Sequence, residues 1–106
     1  MAEQEAGKLD PKFFERADSY IALANGHITN EIHPGLVSNS LMYGASRFNS
    51  WVAAAGFTNG EDMKKEKKEI LEFFASQYKL MLEENLDDYI QDYDYYMGKS
   101  KERKNK

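Results

Sequence analysis

The chain has 106 residues, a formal net charge of −4 and no cysteine, so disulfide frameworks, thiolate metal sites, iron–sulfur clusters and cysteine nucleophiles are excluded. Hydrophobic side chains make up 42% and aromatics 13%, enough apolar material for a folded core in a chain of one domain's length. The polar N-terminus lacks the basic and apolar regions of a secretory signal, and the uncharged stretches 32–46 and 48–60 are shorter than the roughly 18 apolar residues of a membrane span. A cytoplasmic protein with no membrane association is expected.

The first periodic segment opens at Asp10-Pro11, an acceptor side chain followed by a residue suited to the first helical position. Phe13, Ala17, Tyr20, Ile21, Ala24 and Ile28 then recur at steps of three and four, which places them on one helix face. Pro34-Gly35 is expected to end this helix. A second helix is expected to start near Leu36 to Ser40, with Ser38 or Ser40 as caps, and to carry Val37, Leu41, Ala45, Phe48, Val52 and Ala55 on one face. Gly44 lies inside it, where glycine costs about 1 kcal/mol relative to alanine. With Ser40 and Ala45 it forms a shallow spot that can receive a ring or a second backbone.

After the turn around Gly56 and Asn59-Gly60, Asn59 is a candidate cap, and Glu61 and Asp62 suit the first turn of a third helix. Neither Pro nor Gly occurs from there to Gly98, so one helix of nearly forty residues is possible. Met63, Ile70, Phe74, Tyr78 and Met81 point one way, while Leu86, Tyr89, Ile90 and Tyr93 are rotated by about 100°. The third helix is therefore expected either to kink near Glu83 to Asn85 or to pack its second half against something different. The stretch from Leu86 to Met97 then folds back or meets another subunit. The predicted organisation is a flexible N-terminus (1–9), a helical domain (10–97) and a disordered basic tail (98–106). The predicted fold is all-α, three principal helices in a small bundle.

Charge is unevenly distributed. Residues 83–97 hold six acidic and no basic side chains, and 98–106 hold five basic and one acidic. The acids Glu83, Glu84, Asp87, Asp88, Asp92 and Asp94 read as a solvated helical stripe, because acid–base or cation chemistry needs a concave, partly dry site. Tyr89, Tyr93, Tyr95 and Tyr96 alternate with aspartates, which repel phosphate, so nucleic acid is not an expected partner. The basic tail is at most a weak polyanion contact. His27, Glu31 and His33 have metal-like composition without a full ligand set, and read as residues flanking a turn; no metal and no cofactor is assigned. Arg47 and Asn49 flank Phe48 in an apolar helix. Arg47 is expected to pair with Asp18 or Glu15 on the first helix, since a partly buried charge needs a partner. The alternative is an anion or small-molecule site around Tyr43, Arg47 and Asn49. No phosphate loop, nucleophile elbow, dinucleotide fingerprint or zinc-protease motif is present, and no enzymatic activity is expected.

Three stretches carry a resemblance: Phe14-Glu15-Arg16-Ala17-Asp18 running to Ile21-Ala22-Leu23-Ala24-Asn25; Val37-Ser38 with Ser40 through Asn49; and Tyr78 through Ile90. In this order they resemble a bacterial family of small uncharacterised proteins, domain of unknown function (DUF) number 3144, over most of the chain from Phe14 to Ile90. The resemblance implies a helical bacterial protein with no assigned activity and supplies no site residues. From the residues themselves, the expected role is a protein-interaction module that self-associates as a homo-oligomer, or binds another protein, through Leu86, Tyr89, Ile90 and Tyr93.

Overall fold

Residues 10–102 are described in the computed structural model; the predicted flexible segment 1–9 and the tail from 103 onward lie outside them. All regular structure among the described residues is helical: α1 (Phe13–Gly26), α2 (Pro34–Ala54), α3 (Gly60–Lys65), α4 (Lys67–Gln91) and α5 (Tyr93–Tyr96). Helices α1, α2 and α4 are the three main ones, as the 3.6-residue spacing of apolar positions requires. The chain divides into two units between Met63 and Lys64.

In the first unit, Asp10 organises the entry to α1. Its carboxylate accepts from the Lys12 N–H at 3.1 Å and from the Arg16 guanidinium, and its carbonyl accepts from the Phe13 N–H at 3.1 Å. The helix turns its half-buried Phe13, Ala17 and Ala24 inward, at steps of four and seven. It ends at Gly26, before Ile28. The following loop is closed by one hydroxyl: Thr29 Oγ1 accepts from the backbone N–H groups of Glu31 (3.1 Å) and Ile32 (3.0 Å).

Helix α2 starts earlier than the sequence suggests. Pro34 occupies the first helical turn and His33 the N-cap position, so Ser38 and Ser40 lie inside the helix and cap nothing. A proline whose fixed φ suits the first turn begins a helix as readily as it ends one. Helices α1 and α2 pack on each other. Val37, at 9% exposure, is the buried apolar residue at their contact end.

The helix of nearly forty residues is interrupted twice, and at neither place by glycine or proline. Asn59 caps α3, its side-chain oxygen accepting from the Asp62 N–H at 2.8 Å. Glu66 (φ −101°, ψ 6°) separates α3 from α4, and Asp92 (φ −110°, ψ 36°) separates α4 from α5. Of the two alternatives for the third helix, long or kinked, the kinked one is not seen: no break in the helix occurs near Glu83 to Asn85. Helix α4 runs through those residues, and Asn85 donates its side-chain amide to the Met81 carbonyl one turn back at 2.9 Å. Of the first predicted set Met63, Ile70, Phe74 and Met81 are half-buried and Tyr78 is exposed, while Leu86, Tyr89, Ile90 and Tyr93 of the second are all exposed.

The end of the second unit is a local clasp. Asp92 is 1% exposed. Across it, the Tyr96 ring stacks on Tyr89 at 4.1 Å, and the Tyr96 hydroxyl donates to the Asp88 carboxylate at 2.5 Å. Gly98 closes α5 at φ +78°, with the Gly98 N–H donating to the Tyr95 carbonyl (3.2 Å) and the Lys99 N–H to the Asp94 carbonyl (2.6 Å). This paired pattern favours glycine, the residue without a Cβ penalty at positive φ. Gly98, Lys99 and Ser100 thus belong to a helix cap, where the sequence suggests the start of the tail.

Candidate functional site

The first unit carries a concavity beside its packed helices. Tyr20, Leu23, Leu41 and Phe48 stay exposed, and with their neighbours on α1 and α2 they line a groove of about 780 Å³. Tyr20, Leu23 and His27 stand on the α1 wall, and Leu36, Gly44 and Phe48 on the α2 wall. Both sets run away from the shared loop, as neighbouring antiparallel helices require. Gly44 is the low point: a Cβ built there meets no atom within 4 Å, so the shallow spot expected from Ser40, Gly44 and Ala45 is open space. Beyond the groove, Trp51 extends the aromatic wall, its ring 6.0 Å from that of Phe48. The groove itself is not anticipated from sequence, although its signal was available. Arg47 is the one charged residue in all of α2, and such a helix is normally covered on more than one side.

The second candidate surface is the far end of α4. Leu86 (52% exposed) and Ile90 (71%) lie one helical turn apart, with Tyr89 and Tyr93 beside them. The tyrosines are held in place: Tyr89 by the stack with Tyr96, and Tyr93 by Lys99, whose ammonium lies 5.3 Å from the ring centroid. Glu83 and Asp87, also one turn apart, border this patch on the side of Ile90.

The polar set around Arg47 is not assembled. Arg47 is exposed, and the acids and bases around the start of α1 pair among themselves, Arg16 with Asp10 and Lys12 with Glu15 at 4.0 Å. Arg47 therefore pairs with neither Asp18 nor Glu15; being solvated, it does not need to. Nor do Tyr43, Arg47 and Asn49 converge. Arg47 and Asn49 project about 200° apart on one helix, and only Asn49 of the three reaches the groove. His27 is on the groove wall, Glu31 in the Thr29 loop and His33 at the N-cap of α2. No group of three or more His, Asp or Glu among the described residues could hold a metal ion. No helix among them is long and apolar enough to cross a membrane.

Helical grooves and tyrosine patches occur in many unrelated proteins, so relatives carry separate weight. The family described as "Protein of unknown function (DUF3144)" matches residues 13–90, which span α1 through nearly all of α4. The chain belongs to this family. It is also similar to a solved structure, the NMR structure of the protein NB7890A from Shewanella sp., a bacterial protein. That match has 37% sequence identity and a TM-score of 0.71, and it covers 83% of this chain and 93% of the other. No curated protein matches. The family match takes in the whole groove and the patch as far as Ile90, and leaves Tyr93 and the clasp beyond it.

Proposed function

We propose that this protein is a non-enzymatic interaction module that associates with further copies of itself through Leu86, Tyr89, Ile90 and Tyr93. The observation that supports this most is the exposure of Leu86 and Ile90 next to each other on α4. Contiguous apolar surface in an aqueous protein favours association at about 25 cal/mol per Å² removed from water. The flanking tyrosines suit an interface, since each offers a large rigid ring and keeps its hydroxyl wet. Held by Tyr96 and Lys99, they lose little rotamer freedom on contact.

Light scattering on the full chain, taken from low to high micromolar concentration, tests the proposal. The expected result is an apparent mass that rises with concentration toward a multiple of the monomer. A monodisperse monomer throughout that range would remove the proposal.

A further inference from the structure

The patch on α4 and the groove between α1 and α2 are complementary in shape class and in charge. The groove is a concave apolar channel whose α2 wall runs from Leu36 to Asn49, about 20 Å along the helix. At its low point, a Cβ added at Gly44 meets no atom within 4 Å. The only charge on α2 is Arg47, exposed and without an ion-pair partner among the described residues. The patch is convex, with Leu86, Ile90 and two tyrosines standing out from one helix turn and the next. Glu83 and Asp87 along its edge are exposed carboxylates, also outside the ion pairs of the described residues. The segment 83–97 around them contains no basic residue at all.

We infer that the groove between α1 and α2 is the receptor for residues 83–97 of a second copy. In this contact Leu86, Tyr89 and Ile90 enter the apolar channel, a tyrosine ring settles over Gly44, and the Glu83 and Asp87 edge lies beside Arg47. The inference rests on the self-association reading and names its second surface. Reciprocal exchange between two copies closes the assembly, because each contributes one groove and one segment. A dimer joined patch to patch would instead bring two acidic segments together and leave both grooves and both Arg47 side chains uncovered.

Complementation between two variants of the full chain tests this. Gly44→Leu raises the floor of the groove at its low point, where an added Cβ meets no atom within 4 Å, and replaces glycine by a better helix former. Leu86→Ser with Ile90→Ser removes the patch at two exposed positions. Circular dichroism checks that both keep the parental helix content. By sedimentation equilibrium each variant alone is expected to self-associate at least about tenfold more weakly than the parent. Mixed one to one, they are expected to associate more strongly than either variant alone and more weakly than the parent, since one of the two contacts is restored: the filled-groove copy still carries a patch and the patchless copy still carries a groove. Arg47→Glu, a surface change, is expected to weaken association of the otherwise unaltered chain. A parent that associates while the mixture stays monomeric would overturn the groove assignment and leave the patch reading standing. A parent that never associates would overturn both.

Discussion

The two ends of the described chain are stabilised in opposite ways. The α1–α2 pair is held by packing between residues distant in sequence: Val37 is its buried apolar side chain among the described residues, and the polar contacts of Thr29 and Asp10 serve the loop and the helix start. The α4–α5 end is held by contacts between residues seven or eight apart, a ring stack and a charged hydrogen bond around the buried Asp92. The first arrangement leaves a wide apolar channel open; the second fixes a small convex patch. The difference shows how a chain of this size can carry two surfaces of opposite curvature, one left over from incomplete packing and one built by local polar contacts.

The contrast can be broken most forcefully at Val37. Val37→Asp places a carboxylate where the α1–α2 contact is driest and is expected to cost about 3 kcal/mol. Hydrogen exchange in α1 and α2 should then accelerate on the order of a hundredfold, while the amides around Asp92 keep their protection. At the other end, Tyr96→Phe keeps the stack on Tyr89 but removes the hydrogen bond to Asp88. The expected cost is about 1.5 kcal/mol, read as faster exchange at Tyr96 and Met97 with no change in α1 or α2. The smallest effect has the opposite sign. Gly44→Ala adds a methyl group into open space and should raise stability by about 0.8 kcal/mol, measured as a higher melting temperature. A destabilising outcome there would mean that something already rests on the glycine.

What could be read from the sequence was whatever depends on periodicity or on a single side chain's local chemistry. The inward spacing of Phe13, Ala17 and Ala24, the cap at Asn59, the openness at Gly44 and the rotation between Ile70 and Leu86 are all of this kind. The sequence places the start of α2 too late because proline can either stop a preceding helix or open a following one; α1 has already ended at Gly26, and Pro34 only opens α2. The interruptions at Glu66 and Asp92 carry no composition signal. At Asp92 the break accompanies a tyrosine reaching back to Asp88, a contact that propensity does not encode. The pairing assigned to Arg47 failed for a related reason: spacing located it on the helix but could not say that its side would remain in solvent. The groove required knowing how little of each helix the other covers, which is a property of two surfaces together.

The order in which these surfaces are made during translation follows from their positions. Thr29 closes its loop within a few residues, so the α1–α2 pair can assemble as soon as α2 has left the ribosome. Until residues 83–97 have also emerged, a nascent chain can offer the apolar channel but no free acidic segment. On a polysome, where newly finished neighbours are close by, the proposed exchange between copies would shield that channel in the interval when a chaperone would otherwise have to.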